Sequence, residues 1–227
     1  MRLFVIGILL VLAIAMPMML VAPPTAPADD DCKVVEDFAR TAVGEFPAEW
    51  KPRKDAGKDI YAVQEEGGKR FLRATAKSLG IQAAREVQGW NLSAYPILAW
   101  SWRPREFPKA ADERRSSTND SVLAVYMLVP HSRVAGPKAL KYIWSEQVPV
   151  GTHLESNKGL TQVRVLRSGT AGRGEWQQEK VNVLEDYRKY FAGGETPKPI
   201  GIAVLTDADE TKSSAIGDYA GFKICRK

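Results

Sequence analysis

Short apolar or alternating runs, separated by turn residues, are the feature of this sequence that most restricts its fold. From residue 60 onward such runs recur, among them YPILAWSWR, SVLAVYMLV and TQVRVLRS, and they are rich in Val, Ile, Tyr and Trp. Those residue types favour strands, and the runs are shorter than a typical helix. The spacing of the turns therefore predicts an all-β fold, an antiparallel β-sandwich.

One segment, NVLEDYRKYFAGGETP, departs from this pattern. Its residues at helical spacing are Leu184, Tyr187, Arg188 and Phe191. The glycines at 193–194 and the following Pro197 are expected to end a helix there. We therefore expect one short helix that packs over the sandwich between two strands.

The first 28 residues have the features of a secretory signal peptide. Arg2 precedes an apolar run, and Ala26 and Ala28 occupy the −3 and −1 places of a signal peptidase site. Cleavage is expected near Ala28–Asp29, which leaves residues 29–227 as a single β-sandwich domain in the periplasm or outside the cell. The alternative is a retained membrane anchor, because the apolar run approaches a spanning length. No membrane span is expected after cleavage.

Charge is spread evenly along the chain. The formal net charge is +5, and bases and acids alternate without long runs of one sign. This predicts a mildly cationic surface rather than the basic stripe of a nucleic-acid-binding protein. An anionic envelope polymer would be attracted only weakly by such a surface.

The two cysteines, Cys32 and Cys225, lie at opposite ends of the mature chain. In an oxidising compartment they are expected to form a disulfide that joins the N-terminal segment to the final strand. The alternative is a pair of unbonded thiols. Two cysteines and two histidines without ligand spacing argue against a zinc site.

The stretch LAWSWRPREF raises the question of where its two indoles point. In an extended strand Leu98, Trp100 and Trp102 share one face, which is apolar throughout and is the better candidate for the core. Trp144 is assigned to the core on the same grounds. Trp102 lies beside a polar loop, so we expect it to contact the core and also to line a binding rim.

The segment 104–120 is the longest polar connection, and long ordered loops of compact domains are often functional. Flat aromatic rings beside Arg, Asp and Asn are typical of sugar-binding sites, because such rings pack against the apolar faces of pyranoses. We therefore predict a ligand-binding rim around this loop. Its residues are Trp102, Arg103, Asp112, Glu113, Arg114, Asn119 and Asp120.

Motifs for nucleophilic catalysis and phosphate binding are weak in this sequence. There is no Gly-x-Ser-x-Gly elbow, and His131 and His153 lie in turn-like contexts. The glycine-rich stretch SGTAGRGEW lacks the Gly-Lys-Ser/Thr ending of a phosphate loop, so it is interpreted as a hairpin loop.

Carboxylates follow the strand PIGIAVLT at Asp207 and Asp209. Three interpretations remain open for them. Asp is a common turn residue because its side chain bonds nearby backbone amides. Calcium takes carboxylate oxygens on loops, and it is the one cofactor that we consider for this chain. Acid–base catalysis by paired carboxylates is the third interpretation.

Several blocks occur in an order and spacing similar to those of the bacterial domain-of-unknown-function family 3047. They are LAWSWR, ADERRSSTNDSVLAVYMLVP, KYIWSEQVPVGT and IGIAVLTDADETKSSAIGDYAGFKI. The resemblance extends over about residues 35 to 225. It implies a secreted, jelly-roll-like β-sandwich of the carbohydrate-binding kind, and it implies no activity. Asn119 stands where the family has the first of two aspartates, which weakens any argument that needs two carboxylates there.

These observations together favour an exported, non-catalytic module that binds a glycan or another envelope polymer. Two other functions remain open. The first is a periplasmic glycoside hydrolase or lyase, which would use two of five carboxylates. These are Asp112, Glu113, Asp120, Asp207 and Asp209. The second is an envelope scaffold that binds another protein through an apolar patch.

Overall fold

A computed structural model describes residues 31–191 and 196–226 of the chain. The predicted signal peptide and the glycines at 193–194 lie outside these ranges. The strands and the helix of the described part are β1 (Cys32–Glu36), β2 (Trp50–Pro52), β3 (Tyr61–Glu66), β4 (Lys69–Lys77), β5 (Ala83–Glu86), β6 (Ile97–Glu106), β7 (Leu123–Ser132), β8 (Gly136–Ser145), β9 (His153–Ser156), β10 (Thr161–Ser168), β11 (Gln177–Asn182), α1 (Val183–Tyr190), β12 (Gly201–Leu205) and β13 (Ser214–Cys225).

The strands form two facing sheets. The first sheet has the order β11-β6-β13-β4-β3, with β1 also paired to β13, and the second has the order β2-β5-β12-β7-β8-β10-β9. Neighbouring strands are antiparallel except for β8 and β10, which run parallel. The predicted all-β, jelly-roll-like sandwich with one short helix is confirmed.

The core between the sheets contains the tryptophans of β6 and β8. Trp100 and Trp102 meet edge to face with centroids 5.3 Å apart, and Trp102 lies 6.2 Å from Trp144. Such pairs add about 0.5–1.5 kcal/mol each beyond the burial of their area. All three rings are buried, and Trp102 is 0% exposed. The core positions predicted for Trp100 and Trp144 are confirmed, whereas Trp102 does not reach a surface rim.

The helix α1 packs on the sandwich between β11 and β12, as predicted. Asn182 caps it by accepting a hydrogen bond from the backbone N–H of Glu185 at 3.1 Å. Leu184 and Tyr187 are buried against the sandwich. The helix ends at Tyr190, before the glycines that were expected to end it. In the described part of the chain, no helix is long and apolar enough to cross a membrane.

The two ends of the sandwich domain are joined covalently. Strand β1 pairs with the end of β13, which puts Cys32 opposite Cys225, and the two residues form a disulfide. The predicted bond is therefore confirmed.

Two local predictions are wrong. The segment SGTAGRGEW is not a hairpin, because β10 belongs to the second sheet and β11 to the first, so the segment crosses between sheets. His153 lies in the edge strand β9 rather than a turn, and its ring stacks on Tyr190 with centroids 4.1 Å apart. The first error arises because β10 pairs with β8 and β11 pairs with β6, so the two strands that flank the segment do not pair with each other.

Candidate functional site

The predicted rim residues do not form one surface. Trp102 is enclosed between the sheets, where its indole N–H donates to Glu179 at 3.0 Å. Arg103, the next residue of β6, points to the other side of the sheet from Trp102. Its side chain lies on the outer face of the first sheet and pairs with Asp218. The loop after β6 instead folds against the second sheet, where Glu113 contacts Ser145 of β8.

Inside that loop three predicted ligand-binding side chains, those of Asp112, Glu113 and Arg114, are bonded within the protein. Asp112 accepts two hydrogen bonds from the guanidinium of Arg114, at 2.7 and 2.9 Å, and this contact lowers the pKa of Asp112. The buried carboxylate of Glu113 accepts hydrogen bonds from the hydroxyls of Ser121 and Ser145. Burial raises the pKa of Glu113 despite these bonds. These contacts hold the loop in place against the sandwich.

A cluster of three carboxylates lies where this loop meets the turn after β12. One oxygen each of Asp120, Asp207 and Asp209 can be chosen so that all three lie within 4.8 Å of one another. Burial, together with the neighbouring carboxylates, raises the pKa of Asp207 to about 8, although the nearby Lys141 acts in the opposite direction. The predicted pair Asp207 and Asp209 is thus joined by Asp120, a residue that the sequence suggested for the rim.

The outer face of the first sheet carries a groove of about 1170 Å³. Its floor consists of small residues on the two central strands, Ala99 and Ser101 of β6 and Ala220 and Gly221 of β13. The register places Ser101 opposite Ala220, so the small side chains are neighbours across the strands. A strip of small residues flanked by longer side chains makes a shallow channel.

Polar and charged side chains form the walls of the groove. Gln178 and Lys180 lie on the edge strand β11, and Lys69 and Arg70 lie on β4 at the other side. Arg70 donates hydrogen bonds to the backbone carbonyl groups of residues 39 and 41, which fixes the segment after β1 beside the groove. The walls therefore carry basic side chains and also the acidic side chains of Asp37, Glu65 and Glu179.

An exposed indole stands at one end of the same sheet face. Trp176 precedes β11 and is 38% exposed. Its ring meets Phe71 edge to face at 5.5 Å, and the guanidinium of Arg103 lies 4.5 Å from its centroid. Arg103 is held in turn by Asp218 and Glu66. The cation–π contact and the edge contact both restrain the indole.

Trp176 and the groove were missed at the level of sequence. The signal was present in the stretch WQQEKVN, where Trp176, Gln178 and Lys180 alternate with residues that face inward. An aromatic residue at the start of an otherwise polar strand face indicates a binding surface better than the apolar alternation around Trp100. The strand partners that complete the groove could not be identified from that stretch.

Solved structures similar to this chain include domains that act on or bind polysaccharides. The chain is similar to the family 11 carbohydrate-binding module of the cellulosomal cellulase Lic26A-Cel5E of Clostridium thermocellum, with 8% identity, coverage of 86% of this chain and 95% of that one, and a TM-score of 0.44. It is also similar to the family 11 xylanase from Neocallimastix patriciarum, with 10% identity, coverage of 82% and 99%, and a TM-score of 0.42. Likeness at these identities concerns the fold alone.

The sequence itself gives the assignment to a family. No curated protein matches the chain. Residues 48–223 match a protein family over well over half of the chain, as the resemblance of its motif blocks implied. The protein therefore belongs to the family described as Protein of unknown function (DUF3047).

Proposed function

We propose that the protein is a non-catalytic glycan-binding module, and that its ligand lies along the groove on the outer face of the first sheet. The observation that carries this proposal is the combination of an open channel with an exposed indole at its end. The channel is floored by small residues and bordered by hydrogen-bond donors. Trp176 supplies the aromatic surface.

The chemistry of a sugar chain fits these two features. The C–H faces of a pyranose pack on an indole, while its hydroxyls need hydrogen-bond partners such as the carboxamide of Gln178 and the hydroxyl of Ser101. An open groove lets a polymer enter and leave along its length, whereas a small ligand is normally enclosed in a deeper cavity. A polymer segment is therefore the better occupant.

The charges along the groove and the predicted export favour an envelope or extracellular polymer. Lys69, Arg70 and Lys180 border the channel, which attracts a polymer with carboxylate groups, although Asp37 and Glu65 offset part of this charge. The signal-peptide pattern predicts that the protein meets such polymers outside the cytoplasm.

Tryptophan fluorescence gives a direct test, because the six tryptophans, all within the described ranges, differ sharply in exposure. Five are at most 4% exposed, and Trp176 alone is partly exposed. Titration with a panel of neutral and uronic-acid polysaccharides should therefore give a saturable change that comes from Trp176. A larger change with uronic-acid polymers that weakens with added salt would support the role of the basic wall.

Two variants of Trp176 distinguish the loss of its fluorescence signal from the loss of polysaccharide binding. Trp176→Phe should lose the fluorescence change and retain binding in isothermal titration calorimetry, because a phenyl ring still packs on a pyranose. Trp176→Ala should weaken binding by roughly tenfold or more, since hot-spot aromatics contribute about 2 kcal/mol or more. A flat response across the panel would refute the proposal and favour a protein partner. Release of reducing ends would instead favour the hydrolase.

A further inference from the structure

The carboxyl groups of Asp120, Asp207 and Asp209 lie close together between the loop after β6 and the turn after β12. One oxygen of each lies within 4.8 Å of the others. Asp120 also accepts hydrogen bonds from the backbone of Glu210 and from the N–H and hydroxyl of Thr211. These bonds fix Asp120 in the cluster.

Asp207 is the member of the cluster that indicates a ligand most directly. It is 8% exposed, and its Oδ1 makes no hydrogen bond to any described residue. A buried carboxylate oxygen without a partner costs a large part of its hydration free energy. A bound cation would give this oxygen a partner.

Gly80 leaves room for the carboxyl group of Asp207, because it has no side chain. An ideal Cβ built on Gly80 would lie 1.8 Å from Oδ1 of Asp207 and 3.1 Å from Oδ1 of Asp209. The φ angle of Gly80 is not in the left-handed region, so the glycine is required for space rather than for its backbone conformation. The side chains of Asp207 and Asp209 therefore occupy the space beside Gly80 that a larger residue would fill.

The nearby protein cation does not balance the cluster. Lys141 is buried near Asp207, and it also interacts with Glu113 and Tyr126. One ammonium group therefore faces more than one carboxylate.

We propose that Asp120, Asp207 and Asp209 bind a single calcium ion, which joins the loop after β6 to the turn after β12. The donor set contains only carboxylate oxygens, which hard divalent cations prefer. Calcium fits better than magnesium because two of the three aspartates are buried, and magnesium releases its water shell reluctantly. The site lies apart from the groove and is independent of the glycan-binding proposal.

The test uses the purified protein stripped with a chelator and then titrated with calcium chloride alone. Calorimetry should show one saturable site. The melting temperature should rise by about 5–10 °C at a calcium concentration near 100 times the Kd, from ligand linkage and the temperature dependence of a domain of this size. Absence of both binding heat and a thermal shift would overturn the proposal. Tighter binding of magnesium than of calcium would overturn the choice of ion.

The variant Asp209→Asn should affect the melting temperature in opposite directions without and with calcium, relative to the wild type. Asp209 is partly exposed, so the variant should fold, and relief of repulsion should raise its melting temperature without calcium. The same change should weaken calcium binding by at least about tenfold and remove the calcium-induced stabilisation. The control Glu210→Gln removes one exposed charge from the same turn and should retain the calcium response. Equal losses in both variants would indicate diffuse charge attraction and refute a site.

Discussion

Replacement of Asp218 by asparagine should destabilise the protein by about 3 kcal/mol. Asp218 lies on β13, is 0% exposed, and accepts hydrogen bonds from two arginines on neighbouring strands. Arg73 donates to both carboxylate oxygens, at 2.7 and 3.0 Å, and Arg103 donates from Nε at 2.8 Å. The carboxylate is thus the shared anion of a row of basic side chains under Trp176.

The magnitude follows from the exposure of each partner. Removal of one member of a buried ion pair costs about 3–5 kcal/mol, because the other charge stays buried without compensation. Arg103 is only 5% exposed, so this cost applies to it. The side chain of Arg73 is 28% exposed and recovers part of its hydration, and Arg103 keeps its contact with Glu66 at 2.7 Å. Both facts place the expected value at the low end of that range.

Urea unfolding of the wild type and of Asp218→Asn measures this loss. An unchanged slope of unfolding free energy against urea concentration would show that the two proteins expose the same surface on unfolding. The melting temperature should fall by roughly 6–12 °C for a chain of this size. Arg105→Gln is the matched control, because Arg105 is 38% exposed and 3.8 Å from Asp218, and it should cost less than about 0.5 kcal/mol. A loss below about 1 kcal/mol for Asp218→Asn would refute the reasoning.

Two further predictions concern the disulfide and a buried carboxyl. The double variant Cys32→Ala/Cys225→Ala should lose about 5 kcal/mol of unfolding free energy in the chain-entropy model, because the bond spans 193 residues. Urea unfolding of the variant and the wild type measures this loss. A loss under about 1 kcal/mol would contradict the model. Burial raises the pKa of Glu113 above its ordinary 4.5, so the native state keeps this proton to higher pH than the unfolded chain, and stability should fall as pH rises from about 4.5 through the raised value. Asp207, whose pKa is also raised, contributes to the same decline, so Glu113→Gln should show a smaller fall than the wild type in urea midpoints measured between pH 4 and 7, and equal slopes for both proteins would count against the prediction.

Alternation within single strands allowed the core of the sandwich to be predicted. Leu98, Trp100 and Trp102 share one face of β6 because successive side chains of a strand point to opposite sides, and all three are buried. Alternation did not predict how deeply Trp102 is buried, since it was expected to line a rim and is 0% exposed. The covering residues, Trp144 and Glu179, come from β8 and β11, and no local pattern indicates that these strands lie above and beside β6.

The candidate sites show the same division. The turn after β12 identified Asp207 and Asp209 as a carboxylate pair, and the compartment implied by the N-terminus suggested the disulfide. Asp120 joins the pair only because a loop 90 residues away folds back onto that turn. The groove likewise needs β6 and β13 side by side, strands whose sequence separation exceeds 100 residues.

The sequence by itself therefore determined the strand content, the helix and the apolar faces of β6 and β8, because these depend on neighbouring residues and on a repeat of two or 3.6. The order and spacing of its motif blocks determined the family. Only the tertiary structure decided which outer faces became a groove and which carboxylates converged. The physical reason is that a strand satisfies its backbone hydrogen bonds with partners from anywhere in the chain, so side chains on adjacent strands become neighbours without any local signal.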